Sequence, residues 1–378
     1  MKLLDRILVP VDLGPNTDGV IEAAAQLAAP FDARLRLFYA IEEVPHFQAA
    51  LELLKQAAEE RLAKLHDGLV ARCVPCEPPM TVVGRPFDAI VRHADASNAH
   101  LIVMGRGGRC DGTQPALGTT TSRVMRRTSK PVFAVTAGQT KRIGRILCPV
   151  DGSSPSARGL RNAVLLARTL NARLTVMTVI ADLAPLAGMA RRPDMAKVAS
   201  DYQKMERDQF EQFIKGFDFH DVTWDKEVHY GHPADEIVRL ATEAKYDLVV
   251  MGSTGRSGLP RILLGSTAET VARRSPCSVL TVKREDVLSA RLDSDLGDIK
   301  RLLAEGQELL EQGLYDDAIS RFDQCLLKDP YLATAVEGLA AAHERLGHTD
   351  LAADLEEQAA LIRRELWPQH EPSEAVLG

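Results

Sequence analysis

The stretch that decides the fold runs from Asp247 to Arg274 and reads DLVVMGSTGRSGLPRILLGSTAETVARR. It begins with an apolar run typical of a strand that is buried on both faces. Gly252 and Gly255 follow this run, and Gly265 and Ser266 precede a helical pattern. Glycines between a strand and a helix let backbone N–H groups approach an anion, and a helix N-terminus adds further donors. The segment therefore predicts a phosphate-binding loop.

The same residues also fit a purely structural role. Ser266 and Glu269 have the spacing of a capping box, in which a hydroxyl residue occupies the N-cap and a glutamate follows three positions later. A serine hydroxyl can donate to a phosphate while its backbone N–H still faces the ligand. The segment alone therefore leaves both helix capping and phosphate binding open.

The chain contains this stretch twice. Residues 101–127 read LIVMGRGGRCDGTQPALGTTTSRVMRR and repeat the spacing G-x2-G-x9-G-[ST]. The segment RILVPVD at 6–12 matches RILCPVD at 145–151, and GRP at 84–86 matches GHP at 231–233. Three matching blocks in the same order indicate an internal duplication.

Length and composition limit the classes of protein to consider. The chain has 378 residues, of which 45% are hydrophobic and 26% charged, as expected for two or three globular domains. A net charge of −6 argues against a general nucleic-acid binder. We expect no membrane span, because the longest apolar runs fall far short of the ~20 residues that a span needs. The absence of a signal-peptide pattern and the six cysteines together predict a cytoplasmic protein.

Each half of the duplication predicts the order β-α-β-α-β-α-β-α-β. In the first half, strands are expected at 6–12, 34–41, 80–83, 101–104 and 131–136, and residues 141–283 repeat the plan. Such alternation implies a parallel sheet with helices on both faces, in which ligands bind beyond the carboxyl ends of the strands. The predicted fold class is α/β, with two tandem five-stranded parallel-sheet domains at 1–140 and 141–284.

A small all-α domain is predicted at 298–367, after a polar linker at 284–298. Gly313 and Gly347 stand 34 residues apart, which is the period of a tetratricopeptide repeat, and Ala318 and Ala352 share this spacing. Gly306, Phe322 and Pro330 add to the resemblance, whereas a plain helical hairpin is the alternative. Two copies are fewer than the roughly three that stand alone, so we expect the tail to pack on the body or to self-associate.

Both halves, over about 3–140 and 143–283, resemble universal stress protein domains, and the whole resembles a tandem universal stress protein. The resemblance rests on the G-x2-G-x9-G-[ST] loop after the fourth strand and on an aspartate that ends the first strand. It implies a fold related to adenine-nucleotide-binding hydrolases, ATP binding, a role in stress response and pairing through the fifth strands. Family members usually form homo-oligomers in this way, and tandem members pair their halves internally.

The resemblance also implies which residues bind the nucleotide. In the second half these are Pro149, Asp151, Val179, Met251, Gly252, Gly255, Gly265, Ser266 and Thr267. Their equivalents in the first half are Pro10, Asp12, Ala40, Met104, Gly105, Gly108, Gly118, Thr119 and Thr120. The aspartate carboxylate would accept from ribose hydroxyls, the strand-two residue would meet the adenine, and the glycine loop would wrap the phosphates. The structural alternative for Asp12 and Asp151 is that each braces the turn after its strand.

The first half departs from the pattern in detail. Leu13 replaces Gly152, and Arg106 replaces Ser253. Asp111 lies within the loop, where it would repel phosphate unless Arg106 or Arg109 offsets its charge. The second half is therefore the more complete of the two expected sites.

Three functions are open at this point. The first is an ATP-binding regulator of stress response, with Mg²⁺ held mainly by phosphates and water and with slow ATP turnover at most. The second, an ATP-pyrophosphatase-type enzyme, lacks its Ser-Gly-Gly-x-Asp-Ser loop, and no P-loop lysine is present. The third is a scaffold whose helical tail binds a protein partner or a second copy, with the nucleotide only structural. We assign no catalytic residue and no metal ligand.

Overall fold

The structure is a computed structural model that describes residues 4–42, 48–107, 117–136, 138, 142–182, 193–255, 264–283, 299, 301–328 and 332–361. Four features considered above lie outside these residues: Gly108, the loop that carries Asp111, the linker at 284–298, and Pro330. The chain divides into two compact units, Met1–Ser289 and Ala290–Gly378.

The first unit contains a single ten-stranded sheet. Its strands are β1 (Arg6–Pro10), β2 (Arg34–Ile41), β3 (Met80–Val83), β4 (Leu101–Gly105), β5 (Val132–Val135), β6 (Arg145–Pro149), β7 (Arg173–Ile180), β8 (Trp224–Tyr230), β9 (Leu248–Gly252) and β10 (Ser278–Val282). Their order is β3-β2-β1-β4-β5-β10-β9-β6-β7-β8, so the second half mirrors the first. Pairing is parallel within each half. The prediction of an α/β fold with parallel strands is confirmed.

Helices cover both faces of the sheet. They are α1 (Thr17–Ala28), α2 (Gln48–Ala71), α3 (Pro86–Ala96), α4 (Thr119–Arg127), α5 (Ser154–Leu170), α6 (Pro193–Ile214), α7 (Pro233–Glu243) and α8 (Ser266–Arg274). Phe87 of α3 and Val124 of α4 belong to one buried cluster with Leu8 and Ile102 of the strands. Alternate strand residues, such as Ile7, face the opposite side, because side chains alternate along a strand. Two buried faces explain the near-continuous apolar runs of the central strands.

The two halves join through β5 and β10, which pair antiparallel. The register places Phe133 opposite Leu280, and the two side chains are almost fully buried. Burying two such side chains contributes roughly 3–6 kcal/mol of hydrophobic free energy. The expectation that tandem halves pair internally through their fifth strands is confirmed. This pairing occupies both fifth-strand edges within one chain.

Two buried cations cross this junction. Arg106, which follows β4, donates from Nη2 to the carbonyl oxygen of Arg273 at 2.7 Å and from Nη1 to the carbonyl oxygen of Ser275. Lys283, which follows β10, donates from Nζ to the carbonyl oxygen of Met125. Each basic side chain therefore meets the C-terminal end of a helix in the opposite half, where carbonyl groups supply hydrogen-bond acceptors.

The second unit is helical, as predicted. It contains α9 (residues 301–311), α10 (Tyr315–Lys328), α11 (Ala333–Arg345) and α12 (Thr349–Leu361). The ring of Phe322 is 1% exposed and lies against Gly306 of α9 and Gly338 of α11. A Cβ on Gly306 would stand 2.7 Å from this ring, and one on Gly338 would stand 2.5 Å from it. Glycine at both positions is therefore what lets three helices meet around one aromatic side chain.

Lys283 generates a pH-dependent prediction for the first unit. Burial lowers its pKa from 10.5 to about 7, so between these values the unfolded chain holds a proton that the folded chain lacks. Stability should therefore rise with pH over this range because of Lys283, by up to about 1.4 kcal/mol per pH unit. Urea denaturation at pH 7 to 9 should show this rise in the native protein relative to Lys283→Met. Parallel pH profiles for the two proteins would contradict the assignment.

Candidate functional site

The predicted site residues of the second half gather at one edge of the sheet, where β9, β6 and β7 lie side by side. Pro149 ends β6 and Asp151 follows it, Val179 lies near the end of β7, Met251 and Gly252 end β9, Gly255 follows that strand, and Gly265, Ser266 and Thr267 begin α8. The carboxyl ends of neighbouring parallel strands meet at the same edge, so the topology explains why segments distant in sequence converge here.

Asp151 occupies the centre of this edge and is half-buried. Its Oδ1 accepts from the backbone N–H of Ser153 at 3.0 Å and from the Ser153 hydroxyl at 2.5 Å. These contacts match the structural interpretation, in which the aspartate braces the turn after the strand. Its Oδ2 faces the glycine loop, because a Cβ added to Gly255 would lie 2.6 Å from this oxygen. Asp151 therefore links the turn after β6 with the loop after β9.

Close packing requires Gly252 at the end of β9. A Cβ at this position would lie 2.6 Å from the carbonyl carbon and oxygen of Pro155, in the first turn of α5. Gly159, one turn further along α5, faces the same strand, since its own Cβ would lie 2.9 Å from the backbone nitrogen of Gly252. The absence of two side chains thus brings the N-terminal end of α5 against the strand end.

The glycine loop closes at its base and leads directly into α8. The backbone N–H of Gly265 donates to the carbonyl oxygen of Ser253 at 2.7 Å, and Gly265, in extended backbone, is the N-cap of α8. The capping-box interpretation of Ser266 is wrong, because the loop closure places Gly265 at the cap and Ser266 at the first helical position. Glu269 instead pairs with Arg126 of the first half. Ser266 is exposed at the helix start.

The first half repeats this geometry where the structure describes it. Pro10 ends β1, Asp12 follows, Ala40 lies near the end of β2, Met104 and Gly105 end β4, Gly118 is the N-cap of α4, and Thr119 and Thr120 begin that helix. The Gly118 N–H donates to the carbonyl oxygen of Arg106 at 2.6 Å, which is the counterpart of the second-half closure. Asp12 Oδ1 accepts from the backbone N–H of Gly14 at 2.9 Å.

Two differences set the first half apart. Leu13 has a φ of 55°, in the left-handed region where Gly152 of the second half has 79°. A leucine in this conformation is strained by about 1–2 kcal/mol, whereas glycine is not. Arg106 is 3% exposed, and its guanidinium donates hydrogen bonds across the junction to the C-terminal end of α8. The expectation that Arg106 could offset the charge of Asp111 stays a prediction, because Asp111 lies outside the described residues.

A cavity of about 390 Å³ opens beside Asp151. Its walls include Asp151, Gly152 and Thr178 at the strand ends and Glu206, Phe210 and Phe213 of α6. The contribution of α6 was missed in the sequence, because no motif marks it and only tertiary packing brings the helix over the strand ends. Thr178 was missed in favour of its neighbour Val179. A second depression, of about 460 Å³, lies along α6 between Asp201 and Gln212 and includes no strand-end residue.

The chemistry available at this edge is that of a binding site. Backbone N–H groups at a loop and a helix N-terminus suit an anion, while the carboxylate of Asp151 suits hydrogen-bond donors. Within the described parts of the chain, no cluster of three or more histidine, cysteine, aspartate or glutamate side chains could hold a metal ion. None of the described helices is both long and apolar enough to cross a membrane.

Together these features define a duplicated, doubly wound α/β protein with a candidate ligand-binding edge in each half. The chain belongs to the universal stress protein family, whose model matches residues 4–136 and 142–283. A universal stress protein of Methanocaldococcus jannaschii is 34% identical over 140 residues, which cover 37% of this chain and 82% of that protein. A universal stress protein of Mycolicibacterium smegmatis is 26% identical over 293 residues, or 73% of this chain and 96% of that protein.

A solved structure shares the tandem fold. The crystal structure of a universal stress protein from Archaeoglobus fulgidus superposes with a TM-score of 0.56 at 21% identity, and the match covers 74% of this chain and 98% of that one. The tandem arrangement of the first unit is therefore a known architecture of this family.

The two strand-end glycines provide a matched test of the packing at the site. Gly252→Ala should destabilise the first unit by roughly 1–3 kcal/mol, because its Cβ would collide with backbone atoms of α5. Gly105→Ala should cost less, because its closest contact is the end of the Val20 side chain at 3.3 Å. Urea denaturation of both variants measures the difference, and equal losses would contradict the geometry.

Proposed function

We propose that the protein is an ATP-binding regulator of stress response in the cytoplasm, and that its second half holds the better-formed nucleotide site. The observation that carries the proposal is the open cavity beside Asp151, next to a glycine loop that leads into the N-terminus of α8. Its volume of about 390 Å³ lies within the usual range of small-molecule sites, roughly 300–1,000 Å³.

The order of strands suggests how ATP would lie. Neighbouring strands are about 4.8 Å apart, and β9, β6 and β7 are consecutive. We place the phosphates at the loop after β9 and the start of α8, where backbone N–H groups favour anions. The ribose then lies at Asp151 after β6, and the adenine lies at the end of β7 near Thr178 and Val179. Mg²⁺ would be held mainly by the phosphates and water.

Regulation fits this edge better than catalysis does. Oδ1 of Asp151 is already engaged by Ser153, and the described residues that line the cavity include no arrangement of nucleophile and base. Slow ATP turnover remains compatible with such a site. The first half, with its strained Leu13 and with Arg106 turned away, is proposed as the weaker of two ATP sites.

Gly265 offers a test in which loss of binding is not confused with loss of fold. Its φ is −77°, and a Cβ would meet nothing closer than 3.5 Å, so the folded chain accommodates a side chain there. We expect Gly265→Val to remove one ATP from the binding stoichiometry, because the valine blocks the approach of phosphate to the loop. Isothermal titration calorimetry with MgATP makes the measurement.

The control for this experiment is Gly68→Ala, on α2, where an added Cβ meets nothing within 4 Å. It should bind ATP like the native protein. Native-like ATP binding by a folded Gly265→Val variant would refute the loop assignment, and a native protein that binds no ATP would refute the function.

The helical unit supports a second part of the proposal. We propose that it is tetratricopeptide-like and that it binds a protein partner or a second copy of the chain. Phe322 between Gly306 and Gly338, together with buried Ala318 and Ala352, fits the repeat pattern of small residues around an aromatic one. Because the fifth strands already pair within the chain, association of copies would need another surface.

Deletion of residues 290–378 tests the separate role of this unit. All the elements of the nucleotide site belong to the unit Met1–Ser289, so ATP affinity should stay within about twofold of the native value. Light scattering should in turn show a change in assembly for the shortened chain. Loss of ATP binding in a folded truncation would contradict the independence of the two units.

A further inference from the structure

The cavity beside Asp151 has a wall that the glycine motif does not supply. About two turns of α6 lie over this region, and the cavity is lined from this helix by Glu206, Gln209, Phe210, Gln212 and Phe213. Phe210 is 5% exposed and supplies an apolar surface, whereas Glu206 is half-buried and supplies a carboxylate. Two aromatic rings, one carboxylate and two side-chain amides suit a flat ring that carries hydrogen-bonding groups, and the carboxylate can only accept from a donor on that ring.

The equivalent helix of the first half is built differently. On α2 the inward positions Ala58, Leu62, Leu65 and Leu69 are spaced by four, three and four residues. On α6 the same spacing gives the inward positions Ala199, Gln203, Glu206 and Phe210. Where α2 has two leucines, α6 therefore has a glutamine and a glutamate. Leu62 is 1% exposed, so the inward face of α2 is apolar, whereas that of α6 also carries polar side chains.

We infer that Glu206 is a specificity-determining residue of the second-half site, where its carboxylate accepts a hydrogen bond from an amino group on the ligand's base. The inference rests on the proposed ATP site and names its preference: a 6-aminopurine nucleotide over a 6-oxopurine one. An oxo group would bring an acceptor against an acceptor, which leaves the carboxylate without its ligand donor. The first half, whose α2 has leucines on its inward face, lacks the preference.

Glu206 could instead lie beside the phosphates of the nucleotide, but the order of the strands argues against this position. The glycine loop follows β9, Asp151 follows β6, and α6 contacts β7, one strand further from the loop. A carboxylate near phosphates would also repel them, whereas a carboxylate at the base meets a neutral ring. Both arguments place Glu206 at the base end of the nucleotide.

Calorimetric titrations of the full chain with MgATP and with MgITP test the inference. The native protein should bind ATP at least tenfold more tightly than ITP at the second-half site, the size expected for a hydrogen bond to a charged group. Glu206→Gln should reduce this ratio to threefold or less, because the amide can accept from a 6-amino group and can also donate to a 6-oxo group. Glu211→Gln is the matched control, because Glu211 lies on the same helix, pairs with Lys226 at 2.6 Å and does not line the cavity.

The outcomes distinguish a failure of the role given to Glu206 from a failure of the proposed ATP binding. A native protein that binds ATP and ITP equally, or a Glu206→Gln variant that keeps the native ratio, would overturn the role of Glu206 and leave ATP binding standing. A native protein that binds neither nucleotide would overturn the proposed function and this inference together. The comparison of ATP with ITP on the native chain needs no substitution, so a misfolded variant would not prevent a decision.

Discussion

The antiparallel pairing of β5 with β10 is the constraint on which the first unit depends. It turns two five-stranded sheets into one, and it buries Phe133 and Leu280 at the centre of the ten strands. Arg106 and Lys283 reinforce it by bonding to carbonyl groups at the C-terminal ends of α8 and α4. A charged group is buried at low cost only where it is hydrogen-bonded, and helix C-termini supply several acceptors. The junction therefore combines apolar packing with directed polar contacts.

The same contacts connect the junction with the candidate ligand-binding edges. The helix that Arg106 holds at its C-terminal end, α8, begins at the glycine loop of the second half, and α4, held by Lys283, begins at the loop of the first half. Each loop is thus anchored through a helix to the opposite half. The two halves have diverged in sequence. The first half has Arg106 where the second has Ser253, and Leu13 where the second has Gly152. These exchanges make the strand-end edges of the two halves structurally different.

Much of the fold could be predicted from particular residues of the sequence. The third strand was predicted at 80–83 and is found as Met80–Val83, because a short apolar run between turn residues leaves little choice. The first strand was expected at 6–12 and is found as Arg6–Pro10, because a sequence pattern does not fix where the pairing of neighbouring strands ends. The capping box failed at Ser266 for a related reason: the bond from Gly265 to Ser253 closes the loop and moves the cap by one residue.

The sequence by itself determined the duplication, the parallel α/β plan, the helical tail and the place of the aspartates and glycines at strand ends. These features follow from local patterns, namely apolar runs, turn residues and their repeated spacing. Only the tertiary structure decided that Arg106 serves the junction instead of the loop, that Gly252 is required by the backbone of α5, and that Glu206 and Phe210 reach the cavity. Such contacts join residues far apart in the chain, and a side chain's direction depends on what packs around it.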